Sequence, residues 1–290
     1  DRRLADWLRL GVSTSYVSSD ANYTPNGGLV AQYGVLTSFL FSSNDRNYYP
    51  DPVTGEYPVG QGLVNPLEVI ANWRAPQEVS RWVGGFQLQA TPGAGLSVDY
   101  RFGYDTYTET AGQYVPRGAS FPSLTSPLRQ GFAIAATSRA RLLNSDLDVS
   151  HAAQPTERVK LTTSAGVNWQ QQEYTTVVAR AEDLALLTSV LQGTRQFASE
   201  GRDDRRTLGA YAQEQLAFDD VLFLTAALRA DGASAFGSDV RTQYFPKFGA
   251  SWDVSGMSWW QGGLATAVPR LRLRAAYGQS GGQPAGSFDR

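Results

Sequence analysis

The sequence predicts an all-β chain: an antiparallel transmembrane β-barrel, here a partial barrel wall of about nine strands with long extracellular loops. Three observations predict it. Apolar residues recur at every second position through stretches of ~10 residues, the length a tilted strand needs to cross a bilayer. The links between those stretches alternate between short turns and long loops. The opposite parity carries Arg, Asp, Lys, Gln and Asn, which belong beside water and not in a dry interior.

The pattern is organised around 221–254. Leu222, Leu224, Ala226, Leu228 and Ala230 share one parity, while the other passes from Val221 and Phe223 to Thr225, Arg229 and Asp231. Gly232, Ser234, Gly237, Ser238 and Asp239 supply turn chemistry. Phe248, Ala250, Trp252 and Val254 then alternate with Lys247, Gly249, Ser251 and Asp253. A long hairpin follows from that periodicity, with an oily face that no second layer in the chain covers.

In chain order, a first strand is expected at 6–17, where Leu8, Leu10, Val12, Thr14 and Tyr16 alternate with polar residues. Residues 18–80 hold no period of two and read as one long extracellular loop, with a short helix somewhere in Leu29–Phe41. Strands at 79–90 and 96–105 flank the turn at Thr91-Pro92-Gly93-Ala94-Gly95. Strands at 139–152 and 159–170 flank Gln154–Glu157. Residues 178–203 read as a connection with a short amphipathic helix, because Glu182-Asp183 precedes Leu184, Leu187 and Leu191. Strands at 206–218 and 271–278 complete the set with the hairpin. Trp82, Trp169, Trp252 and Tyr277 are placed to form aromatic girdles.

Composition narrows function. The net charge of −2 gives no general attraction to nucleic acid. With no Cys and one His, disulfide frameworks and zinc centres are set aside. His151 lacks the partners of a catalytic triad and reads as structural, so no enzyme is expected, nor any cofactor. Gly278-Gln279-Ser280-Gly281 precedes no helix and is no phosphate cradle. Asp51, Thr54 and Glu56 match no EF-hand spacing, and Asp203-Asp204 sit among arginines as surface pairs. Tyr48, Tyr49 and Tyr57 are the candidate substrate contacts, since exposed aromatics stack on sugar faces. A soluble β-sandwich alternates in the same way and remains the alternative fold, with a binding module as its function.

The residues add a resemblance. Arg229, Asp231, Gly232, Phe236 and Gly237, then Phe245, Pro246, Gly249 and Trp252, then Arg274, Tyr277 and Gly278, resemble the barrel signature of TonB-dependent outer-membrane transporters of the SusC/RagA type. The specific likeness covers Tyr211–Gln283. Asn65-Pro66-Leu67 and Tyr114–Gly118 fit weaker habits of the family. Ala235 stands where the family usually has Arg, and Gly282 where Asn is common. The resemblance implies energised import of glycans or peptides across the outer membrane of a Gram-negative, Bacteroidota-like cell. It implies a barrel of 22 strands around a plug, worked by the TonB–ExbB–ExbD complex, with a SusD-like surface lipoprotein as lid. Residues 1–290 would then be part of the barrel domain, without plug, TonB-contacting segment or closing strands. A non-transporting adhesin or structural barrel is the alternative function.

Overall fold

The computed structural model describes residues 1–25, 34–41, 45–58, 64–118, 130–186, 188–234, 242–260 and 266–281. Ten strands form one antiparallel sheet in chain order: β1 (Arg2–Ala5), β2 (Leu8–Asn22), β3 (Pro76–Gly93), β4 (Leu96–Val115), β5 (Phe132–Thr156), β6 (Val159–Leu184), β7 (Gly193–Phe218), β8 (Leu222–Ala233), β9 (Thr242–Asp253) and β10 (Arg272–Gly278). Two helices, α1 (Val35–Phe41) and α2 (Pro66–Asn72), lie in the β2–β3 connection. The sheet is open, with β1 and β10 at its edges. Among the described residues no helix is long and apolar enough to cross a membrane.

Register shows the two faces directly, because residues opposite one another on paired strands share a side of the sheet. One row runs Leu10, Leu88, Tyr100, Leu147, Val167, Ala210, Ala230, Tyr244. The adjacent row of the other face runs Arg9, Gln89, Asp99, Asp148, Gly166, Tyr211, Arg229, Phe245. Leu224 and Leu228 are 42% and 49% exposed, so no second sheet encloses the oily face and the sandwich alternative falls. One row of that face is polar across three neighbouring strands: His151, Thr163 and Glu214. The Thr163 hydroxyl donates to Glu214 at 2.6 Å and satisfies one carboxylate oxygen.

Strand tilt is written in the aromatics. On the oily face the upper girdle comprises Tyr16, Trp82, Tyr104, Trp169 and Tyr244. Tyr16 pairs with Trp82, but Tyr104 lies one row nearer the short turns, Trp169 one row nearer again, and Tyr244 a further row. The offset is about one residue per strand, as expected when strands ~4.8 Å apart lean 35–45° in a barrel wall. At that lean Phe218 to Leu208 on β7 spans about 25 Å, the height of a barrel's apolar band.

Beyond the band, pairing continues where alternation stops. β5, β6 and β7 are 25, 26 and 26 residues long. On upper β7 both parities are charged, and Arg202–Glu200, Arg205–Asp203 and Arg206–Asp204 pair at 2.5, 2.7 and 2.6 Å. Charge on both faces removes the period of two seen lower on the strand. For this reason the expected connection at 178–203 is mostly strand, and only 185–192 link β6 to β7. No helix forms at its described residues. Glu182 pairs with Arg180 and Arg195, and Leu184 is a buried strand residue packed with Ala133, Ala181 and Leu191; Leu187 lies outside the described residues. The count of nine is likewise corrected to ten, since the four-residue β1 is too short to show a period. The long loop narrows from 18–80 to 23–75, and the helix expected in Leu29–Phe41 occupies Val35–Phe41.

Adjacent short turns are stapled together. Arg158 donates through Nε to Asp219 at 2.7 Å and through Nη2 to its second oxygen, and its guanidinium lies 4.8 Å from the Phe218 ring centroid. That guanidinium holds the Asp219 carboxyl below the usual carboxylate range. A depressed carboxyl stabilises the turn fully above its unfolded value of 3.8, and the contribution is lost as pH falls through the folded value. Hydrogen exchange at Val221 should therefore accelerate on acidification, and Asp219→Asn should abolish that acid step. A second outcome follows from depth. Leu228, three rows above the lower girdle row of Leu222, should cost roughly 2–4 kcal/mol as Leu228→Arg, against ~0–1 for Leu222→Arg. Ala227→Arg, on the polar face, should cost little; a membrane-folding titration checks all three.

Candidate functional site

The polar face carries a network of hydrogen bonds and ion pairs from β3 to β7, with a separate charged pair on β8. Asp99 sits at its centre: Gln87 and Gln89 donate to one oxygen at 2.7 and 3.0 Å, and Arg101 Nε donates to the other at 2.5 Å. Arg101 also lies 3.8 Å from Asp148, whose other oxygen accepts the Tyr211 hydroxyl at 2.6 Å. Asn168 donates to Asp146 in the next row. On β8, Arg229 and Asp231 pair along the strand through contacts of 2.9 and 2.8 Å. Alternation alone places these groups together, since residues two apart on a strand point the same way. The result is a water-facing wall of fixed donors and acceptors, with both signs of charge interleaved.

Two glycines clear the space this network needs. A Cβ on Gly166 would fall 2.5 Å from Tyr211 Cε1, 2.7 Å from Asp148 Oδ1 and 2.9 Å from the Leu147 carbonyl. A Cβ on Gly209 would fall 2.3 Å from Arg229 Nη2 and 2.4 Å from Asp231 Oδ1. Large side chains thus lie flat across the neighbouring strand. Sequence parity marks Asp99, Arg101, Asp148 and Tyr211 as co-facial, but the sequence reading did not single them out as a site. The charges repeated at 99, 101, 146 and 148 were the available signal.

At the long-loop end, Asn65 builds a second locus. Its Oδ1 accepts from the amides of Leu67 and Glu68 at 3.0 and 3.4 Å and caps α2, which starts with Pro66. Its Nδ2 donates to the carbonyls of Tyr48 and Pro58 at 2.9 and 3.4 Å, tying the tyrosine stretch to the helix. Val64, Val69, Trp73, Val115 and Phe132 form the small core that seats α2 on upper β4 and β5. The Tyr48 ring meets Phe39 edge-on at 5.5 Å and lies 5.4 Å from the Arg46 guanidinium. Tyr49 is 72% exposed, whereas Tyr57 is half-buried. Asp51 accepts from Val53 and Thr54 at 2.8 and 2.9 Å; those amides, Thr54 foremost, hold its carboxyl below the usual range. Among the described residues no cluster of His, Asp and Glu is arranged to hold a metal.

The sequence model of the family described as TonB dependent receptor-like, beta-barrel matches residues 9–289. The chain belongs to this family. It is similar to TonB-dependent receptor P26 of Formosa agariphila, at 22% identity over 98% of this chain and 28% of that protein. Among solved structures it resembles the RagAB peptide importer in its closed-closed state, with a TM-score of 0.74, 17% identity, and coverage of 99% of this chain and 32% of that one. The open-open state gives 0.71 at 17% identity, covering 95% and 31%. The chain thus spans less than a third of the relatives it matches. Both the TonB-dependent receptor assignment and the SusC/RagA likeness of fold stand, as does the open antiparallel wall.

The signature residues divide between the two faces of this receptor wall. Arg229, Asp231, Phe245, Gly249 and Arg274 take the polar parity; Gly232, Pro246, Trp252 and Tyr277 take the oily one. Gly278 pairs with Lys247 where β10 ends. Phe236 and Gly237 lie outside the described residues. Gly166→Ala should drive Tyr211 off Asp148 and destabilise the wall by ~1–3 kcal/mol, an overpacking cost. Gly103→Ala, whose Cβ would meet nothing nearer than Asn144 Cβ at 3.9 Å, should be near neutral in the same folding titration.

Proposed function

We propose that this chain is wall and outer rim of an outer-membrane TonB-dependent importer of the SusC/RagA type, moving glycans or peptides into the periplasm. The observation that carries the reading is the family match over 9–289, laid on a wall with one oily, girdled face and one polar face laced with hydrogen bonds and ion pairs. In this reading the oily face meets the lipid bilayer and the Asp99–Arg101–Asp148–Tyr211 network faces the lumen, where a plug and passing substrate meet it. The plug would take the pull of the TonB–ExbB–ExbD complex, and a SusD-like lipoprotein would close over the long-loop end. The RagAB importer, which shares the fold, is named for peptides, and this supports an oligomeric polar substrate here. Tyr49 is the tyrosine best placed to stack on substrate, since its ring is open to solvent; Tyr48 and Tyr57 would shape the surface beside it.

Uptake by cells expressing the full receptor tests this. Labelled oligopeptides and oligosaccharides should separate the two substrate classes, and uptake of one should vanish when TonB is deleted. Tyr49→Ala should weaken substrate binding about five-fold, the cost of truncating an exposed aromatic anchor worth ~1 kcal/mol. Surface binding of either class with no TonB-dependent uptake would instead favour the adhesin reading and sink the importer.

A further inference from the structure

At the short-turn end, most hairpins close tightly. β1 and β2 join through Asp6-Trp7, β3 and β4 through Ala94-Gly95, β5 and β6 through Glu157-Arg158, and β7 and β8 through Asp219–Val221. Three of those turns carry charge: Asp6; Glu157 with Arg158; Asp219 with Asp220. The link between β9 and β10 breaks both habits. It runs through 254–271 and carries one charge, Arg270, at its far end, with no Asp, Glu, Lys, Arg or His from Val254 to Pro269. It also holds the adjacent pair Trp259 and Trp260.

Its described part has a definite form. The 3-10 turn Val254–Gly256 folds back over the neighbouring hairpin: Val254 is buried, and a Cβ on Gly256 would lie 2.8 Å from Val221 Cγ1. The Met257 amide donates to the Val254 carbonyl at 3.2 Å, and the Trp260 amide to the Met257 carbonyl at 3.0 Å. The Trp260 indole nitrogen donates to the Val268 carbonyl at 3.2 Å and pins the returning chain. Trp259 stands edge-on to Trp260 at 5.7 Å, yet is 54% exposed, with Val268 42% exposed nearby. One tryptophan is occupied in holding the link; the other is presented.

Position says what covers it. The link leaves β9 just after Trp252 and enters β10 just before Leu273, and these two pair with each other in the lowest oily row, alongside Leu222. It is therefore continuous with the lower edge of the face that meets lipid. An uncharged segment with a presented indole at that level has the chemistry of the membrane–water interface, where tryptophan buries its ring among lipid and keeps its N–H near water. A rim bathed in periplasm would instead resemble the charged turns beside it.

We propose that Met257–Trp260 with Val268 form an interfacial anchor, with the Trp259 ring lodged at the ester and headgroup level of the leaflet on the short-turn side. The proposal rests on the reading that the oily face meets lipid, and the test separates the two. The full receptor is reconstituted in phosphatidylcholine vesicles, with and without bromine on the acyl chains close to the carbonyls. Emission differences between the parent and Trp259→Phe, and between the parent and Trp252→Phe, isolate the two rings. Both signals should lose most of their intensity to the brominated lipid, and Trp259 should be shielded from iodide in the buffer. Quenching of Trp252 without Trp259 overturns the anchor alone, whether Trp259 is then open to iodide or covered by protein. Quenching of neither overturns the membrane assignment of the face itself. In a receptor freed of any other cysteine, an environment-sensitive dye at Met257→Cys gives the same readout should a tryptophan variant fold poorly.

Discussion

Hydrocarbon offers no hydrogen-bond partner, and every other feature of this wall follows from that. Each backbone N–H and C=O within the band must be met by a neighbouring strand, since an unpaired group there costs several kcal/mol. The ladders from β2 to β10 meet that demand residue by residue between neighbouring strands, leaving only the sheet's edges open, with register shifts confined to the β3–β4 and β5–β6 turn ends. Once pairing is fixed, side-chain parity is fixed with it. One set of residues goes to the oily face and the other to the polar face, and a slip of one residue would exchange them.

The same constraint governs how much could be read beforehand. Where one side of a strand meets hydrocarbon and the other water, composition alternates and the strand is visible, as at Leu96–Tyr104 or Leu222–Ala230. Where both faces are polar, pairing persists but leaves no periodic trace, so the strand residues 178–184 and 193–203 read as part of a connection. Leu184 and Leu191 contribute to a helical spacing in the sequence although one ends a strand and the other lies in the link beyond it. Short β1 carried too few residues for any period. Most of the family signature was legible because it lies on the alternating strands β8 to β10.

For the lumenal site, parity gave the faces but not the partners. That Asp99, Arg101 and Asp148 share a side is arithmetic on the sequence; that Tyr211 reaches across Gly166 to Asp148 depends on which strands pair and at what register. Asn65 is a similar case. Its position before Pro66 announces a helix cap, while its second role, holding the carbonyls of Tyr48 and Pro58, needs contacts distant in sequence. The Glu214–Thr163 contact on the oily face had no sequence signal beyond a break in the alternation.

The tall strands have a consequence of their own. From Leu208 to Gly193, β7 continues about 35–40 Å above the band at the same lean, carrying the β6–β7 connection well clear of the lipid headgroups. A rim raised on paired strands is already ordered before anything touches it. A lid or a large substrate arriving there gives up little conformational freedom on the receptor's side, so its contacts are offset less by ordering than contacts to free loops would be. In the proposed importer the rim would be a fixed landing stage, its elevation set by strand length alone.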